Sequence, residues 1–194
     1  MGGIPASGFG LGAAVNVESI IGQPNLFDIY DGGGLDTAFL GLAQADAEGN
    51  INVSKFQGRM VGCGGFVNIT QNTKKVIFCG TFTAGKSEIA IEDGRLSIVR
   101  DGDFIKFIKQ VEQITFSGNY AKKHGKEVLY VTERAVFRLT KEGMELTEIA
   151  PGADLERDIL DKMDFKPVIS KDLKLMDSRI FKDEAMGLAA DNIE

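Results

Sequence analysis

Residues 75–83 read KVIFCGTFT, and this stretch decides the fold class. Val76, Ile77 and Phe78 place apolar side chains on both faces of an extended segment, as in a strand buried inside a parallel sheet. Upstream, Leu35–Ala45 (LDTAFLGLAQA) is a second short apolar run bounded by turn residues, and it also reads as a buried strand. Glu48-Gly49-Asn50 signals a turn, Ile51–Ser54 alternates as a strand does, and Phe66-Val67-Asn68-Ile69 opens a short helix. Downstream, Glu88–Ile91 and Arg95–Val99 flank Asp93-Gly94, a type I′ hairpin signal. Phe104, Phe107, Ile108 and Val111 fall at i, i+3, i+4 and i+7 and predict a helix, with Ile105 and Ile114 blurring the period. Glu127–Thr132, Ala135–Thr140 and Met144–Ile149 read as three strands, the last two joined by Lys141-Glu142-Gly143. Asp154 is suited to cap a helix running to about Met163, with Pro167 just beyond its end. The last 25 or so residues read as polar and irregular, with Leu173, Leu175, Ile180 and Phe181 as docking points. Strands interleaved with helices give an α/β class: one domain over residues 1–194, a mostly parallel central sheet flanked by helices, and an inserted β-hairpin.

Composition narrows the function. The net charge is −6, and residues 1–54 carry six acidic side chains but no Lys or Arg. That balance argues against a sequence-independent grip on phosphate backbones, so no nucleic-acid partner is expected. No apolar run reaches the ~18–20 residues that span a bilayer, and residues 1–5 lack the pattern of a signal peptide. The expectation is a soluble, cytoplasmic protein without a membrane partner. Cys63 and Cys79 form no C-x-x-C pair, which fits a reducing compartment. A single histidine, His124, excludes zinc sites built on several imidazoles, and no metal is expected. His124 lies in the polar run KKHGK and reads as a solvent-exposed loop residue.

Glycine carries the candidate chemistry. Fifteen of the 24 glycines lie in residues 1–65. Gly8, Gly10 and Ala13 fit the spacing G-x-G-x-x-A, but no strand precedes them, so a dinucleotide site lacks its context. Glu18-Ser19 has no positioned partner in the sequence and reads as surface, and Glu133, between two strands and followed by Arg134, reads as a carboxylate that caps a turn or pairs with a basic side chain. Gly62-Cys63-Gly64-Gly65 is more informative: three glycines in four residues can present successive backbone N–H groups to an anion or a carbonyl oxygen, as an oxyanion hole requires. A tight turn explains that stretch equally well.

Several stretches in one order resemble the second (β-type) half of family I coenzyme A-transferases, most closely the single-chain propionate or acetate CoA-transferase group and more distantly succinyl-CoA:3-oxoacid CoA-transferase. They are Gly2-Gly3-Ile4-Pro5, YDGGGLDTAFLGLAQAD followed by GNINVSKF, MVGCGGFVNIT, KVIFCGTFTAG, VEQITFSG, VLYVTERAVFRL and LTEIAPGADL, spanning residues 2–155. The resemblance implies transfer of CoA from a short-chain acyl-CoA to a carboxylate, with CoA as substrate and no covalently bound cofactor. It implies a glutamate nucleophile that passes through a mixed anhydride and a glutamyl-CoA thioester. The family glutamate belongs to a motif E-x-G-x-x-G-G followed shortly by Pro. Gly2, Gly3 and Pro5 match its end, so the glutamate is expected just before Met1 and no catalytic side chain is expected in this chain. The family's glycine pair maps onto Gly64 and Gly65. The resemblance further implies the enzyme's N-terminal half as a partner, and a homo-oligomer is expected because an open sheet edge invites pairing. Two rivals are a non-catalytic assembly domain or split-enzyme subunit, and a related CoA-type lyase subunit.

Overall fold

The computed structural model describes residues 2–6 and 13–191. The run Gly8–Gly12, with the Gly8 and Gly10 of the dinucleotide spacing, lies outside the described residues. The principal strands are β1 (Thr37–Gly41), β2 (Lys75–Cys79), β3 (Glu88–Glu92), β4 (Arg95–Arg100), β5 (Glu127–Val131), β6 (Ala135–Thr140), β7 (Gly143–Ile149) and β8 (Val168–Leu175). The helices are α1 (Gln23–Asp31), α2 (Phe66–Asn72) and α3 (Gly118–Lys123).

Six strands form the central sheet in the order β8-β7-β6-β5-β2-β1. The β1–β2, β2–β5 and β7–β8 pairs are parallel, and β5–β6 and β6–β7 are antiparallel. The sheet is therefore mixed and mostly parallel, as the sequence implies. Register places Phe78 of β2 between Leu40 of β1 and Tyr130 of β5. Phe78 is fully buried and its ring meets Phe66, Phe116 and Tyr130 at centroid distances of 5.7, 5.0 and 5.6 Å. Aromatic pairs at such spacings add to the stabilisation from buried area. The hairpin β3–β4 turns at Asp93 and Gly94, whose φ angles of 49° and 74° are those of a type I′ turn. α3 starts at Ser117, whose hydroxyl accepts from the Tyr120 amide at 3.2 Å. Gly118 must be glycine, because a Cβ there would lie 2.0 Å from the Glu48 carbonyl oxygen.

Three local expectations need correction, and one helix, α1, has no counterpart among them. Residues 104–111 are not helical. Phe104–Ile105 pairs with Thr83–Ala84, and the Ile108 amide donates to the Ala45 carbonyl at 2.9 Å. The backbone bonds of this segment go outward to neighbouring chain, so it stays extended despite its i, i+3, i+4 spacing. The Asp154 cap is present, its carboxylate accepting from the Arg157 amide at 2.8 Å, but Leu155–Ile159 forms a π-helical turn followed by a 3₁₀ turn at Leu160–Lys162. The Asp158 carbonyl is taken by Arg134 Nη1 at 3.1 Å, which draws it out of the helical ladder. The last 25 or so residues include most of β8, an edge strand whose Lys171, Asp172 and Lys174 mask its period. α1 carried no clear signal, since it has no side-chain cap and buries no residue. No helix among the described residues is long and apolar enough to cross a membrane.

Truncating Phe78 tests the aromatic centre. Phe78→Ala is expected to cost about 3–5 kcal/mol in urea unfolding, the range for a large core truncation.

Candidate functional site

The two glycine remnants have separate surroundings. Gly2 and Gly3 take φ of 71° and 81°, and a Cβ at Gly3 would lie 2.5 Å from the Val15 carbonyl oxygen. They lead into Ile4–Pro5, which pairs antiparallel with Ala14–Val15. Exposed Glu18 lies against Gly2, where a Cβ would meet its Cδ at 2.9 Å.

The Gly62–Gly65 loop lies between the short hairpin Lys55–Phe56/Arg59–Met60 and α2. Val61 and Gly62 donate their amides to the Ser54 carbonyl at 2.9 and 3.1 Å, and Phe66 donates to the Cys63 carbonyl at 3.0 Å. Those bonds shape the loop. Among the described residues no backbone carbonyl takes the amide of Gly64 or Gly65, and Gly64 is exposed. The two glycines differ in what they tolerate. Gly64 has φ of 52° with open space beside it, whereas a Cβ on Gly65 would lie 2.8 Å from Phe27 Cζ of α1. Gly65 thus lets α1 pack against the base of the loop.

A charged cluster with little sign in the sequence stands beyond the C-terminal end of β2. Arg134, fully buried, donates through Nε to Glu133 at 2.8 Å and through Nη1 to Asp101 at 2.7 Å, and its guanidinium lies 5.1 Å from the Phe82 ring centroid. Of the two roles expected for Glu133, it takes the pairing with a basic side chain, and its Oε2 also accepts from the Phe82 amide at 2.8 Å, which fixes the loop after β2. Lys162 reaches Asp101 at 3.0 Å. Burial raises the Asp101 carboxyl, but the hydrogen bonds from Arg134 and Lys162 outweigh it and hold the group below its usual range. The Arg157 side chain holds Asp158 low against the opposing effect of burial. Alternation of apolar residues in YVTERAVF marks the flanking strands; nothing in it marks Asp101, which comes from 33 positions upstream. His124 is exposed, as expected, and stacks on Tyr120 at 3.9 Å. Cys63 and Cys79 are free and exposed. Among the described residues no group of three or more His, Cys, Asp or Glu side chains is placed to hold a metal ion.

No protein-family model matches the chain. The chain is 53% identical over 187 residues to the acetate CoA-transferase YdiF of Escherichia coli (strain K12), a match covering 96% of this chain and 35% of that protein. It is 56% identical over 192 residues to the caffeate CoA-transferase of Acetobacterium woodii, covering 96% of this chain and 36% of that protein. The crystal structure of the acyl-CoA transferase YdiF from E. coli O157:H7, a thioester complex with CoA, superposes with a TM-score of 0.90 at 52% identity over 96% of this chain and 35% of that one. The chain therefore spans about a third of the length of these relatives.

Two outcomes follow from this geometry. Gly65→Ala should lose roughly 1–3 kcal/mol in denaturant unfolding through overpacking against Phe27, and Phe27→Ala should relieve most of that loss. Asp101 is ionised more readily folded than unfolded, so its contribution is present above its unfolded value of about 3.9 and lost as pH falls through the lower folded value. The stability gap between wild type and Asp101→Asn should accordingly narrow between pH 5 and pH 2.5 in urea titrations.

Proposed function

This chain belongs to the family I CoA-transferases as a counterpart of their C-terminal-type part, and from that premise we propose that it forms part of an enzyme moving CoA from a short-chain acyl-CoA to a carboxylate acceptor. In this reading a glutamate carboxylate attacks the thioester carbonyl and CoA thiolate leaves, giving an acyl-glutamyl anhydride. The thiolate then attacks the glutamyl carbonyl, releasing the donor's carboxylate and leaving glutamyl-CoA. The acceptor carboxylate runs the sequence in reverse and departs as the new acyl-CoA. Each attack develops negative charge on a carbonyl oxygen, and the amides of Gly64 and Gly65 are the donors this chain offers to it.

The observation that carries this reading is the state of those amides. The neighbouring donors at Val61, Gly62 and Phe66 are spent on the loop, while Gly64 and Gly65 keep theirs unclaimed by backbone carbonyls among the described residues. A donor held in place by the fold needs no reorganisation when charge appears, which is the source of its catalytic value. The nucleophilic glutamate, by resemblance, precedes Gly2-Gly3 in the complete enzyme, with CoA as substrate and the N-terminal part as partner. Two free, exposed cysteines fit action in the reducing cytoplasm.

The test is CoA exchange between acetyl-CoA and labelled propionate. The 194-residue chain alone should show none above background. A chimera in which it replaces the matching third of the E. coli relative should be active. Exchange by the isolated chain would refute the placement of the glutamate, and a folded but inactive chimera would refute the transferase reading.

A further inference from the structure

Lys126 closes one end of α2. That helix ends at Asn72, and the last carbonyls of a helix have no partner inside it. Here the Lys126 ammonium takes three carbonyls at that end, donating to Thr70 at 3.1 Å, Gln71 at 2.5 Å and Thr73 at 2.9 Å. A cation also suits the negative end of the helix dipole. The backbone that presents the ammonium is itself fixed. Gly125 takes φ of 63° after α3, and the Lys126 amide donates to the carbonyl of buried Ala121 at 3.0 Å. The next residue, Glu127, opens β5 and is paired with Lys75 of β2. The clamp therefore ties α2 to the frame of the parallel sheet.

From this clamp a line of hydrogen bonds runs back along α2 to the glycine loop. Lys126 Nζ donates to the Thr73 carbonyl, the Thr73 hydroxyl donates to the Ile69 carbonyl at 2.5 Å, and the Ile69 amide donates to the Gly65 carbonyl at 3.0 Å. Positions 65, 69 and 73 are spaced by about one helical turn. Thr73 is fully buried, which shields these bonds from water. A helix of seven residues gains little stability from its own ladder, so its anchors decide where it lies. At the N-terminal side the anchor is the contact of Gly65 with Phe27, and at the C-terminal side it is Lys126.

We propose that Lys126 is a positioning residue for CoA transfer: its ammonium anchors the line through Thr73 and Ile69 to Gly65, and so holds the Gly64 and Gly65 amides where the oxyanion forms. The catalytic part of this claim rests on the transferase reading above. The immobilisation of the two amides by Lys126 does not, and it is measured without CoA.

The experiment has two arms. The first is NMR relaxation of the isotopically labelled 194-residue chain without substrate. The order parameters of the Gly64 and Gly65 amides should be near 0.85, roughly the rigid range, in the wild type and fall below about 0.6 in Lys126→Met. Leu146 of β7, three strands from β2, should keep its value. Thr73→Val, which removes the hydroxyl and keeps the shape, should reproduce the loss at Gly65. The second arm is CoA exchange in the active chimera. Lys126→Met should lower kcat roughly ten- to a hundredfold, the scale of a displaced catalytic group, with KM for acyl-CoA within about twofold. Lys126→Arg, which keeps the cation and its donors, should recover most of the loss. The double variant Lys126→Met/Thr73→Val should lose little more than the single one, because both cut the same line. Leu146→Ala, a core truncation away from α2, should keep its kcat. Unchanged order parameters in Lys126→Met, an unchanged kcat, or an equal loss of kcat in Leu146→Ala would each overturn the proposal. If Lys126→Met does not fold, Thr73→Val decides by the same two readouts. An inactive wild-type chimera would refute the transferase reading and with it the catalytic role of Lys126, while the order parameters would still decide the clamp.

Discussion

The parallel pairing of β2 between β1 and β5 is the constraint on which the rest of the molecule depends. It aligns Val76 with Ala38 and Val128, and Phe78 with Leu40 and Tyr130, so that one face of three strands closes around the aromatic centre. A one-residue slip would turn Phe78 out of that centre. The same pairing fixes the direction of two loops. The chain enters β2 from α2, whose N-terminal side carries Gly64 and Gly65, and leaves it through Gly80–Thr83, where Lys106 and Glu133 are anchored. Phe66 connects these ends physically, because it opens α2 and stacks on Phe78.

Charge inside the fold is arranged in two different ways. Around Arg134 it is paired, with carboxylates of Glu133 and Asp101 on the guanidinium and the Phe82 ring beside it. Such a cluster adds little net stability over an apolar replacement but makes removal of one partner costly. It holds the loop after β2, the strand β6 and the segment around Asp101 in a fixed relation. At Lys106 the charge is left with a carbonyl as its hydrogen-bond partner, on the wall of a groove. The two cations, both attached to the same loop, differ in kind: Arg134 has two carboxylate partners and leaves only Nη2 without a hydrogen bond, whereas Lys106 has a single carbonyl.

The sequence showed the strands well where pattern and burial agree. KVIFCGTFT and YVTERAVF carry runs whose apolar character matches their place inside the sheet, and Asp93-Gly94 names its own turn. It failed where tertiary bonds overrode local pattern. Phe104–Val111 has the spacing of a helix, but its backbone is claimed by Ala45, Thr83 and Ala84. β8 is hidden by the charges that suit an edge strand, and α1 by the lack of a capping side chain. At the candidate site, the Gly64-Gly65 pair was visible through resemblance, and its open amides only through structure. The Lys106 groove was not legible at all, because it assembles residues from 42 to 164 that share no local pattern.

The central claim is that this chain supplies backbone donors to a developing oxyanion. Replacing Gly65 with glycolate, by ester incorporation in the active chimera, removes that one N–H while leaving the rest of the residue unchanged. The account predicts that kcat for CoA exchange falls by roughly 10²–10³ with KM for acyl-CoA little altered, the loss expected for a single oxyanion donor. An unchanged kcat in a correctly folded ester variant would contradict it.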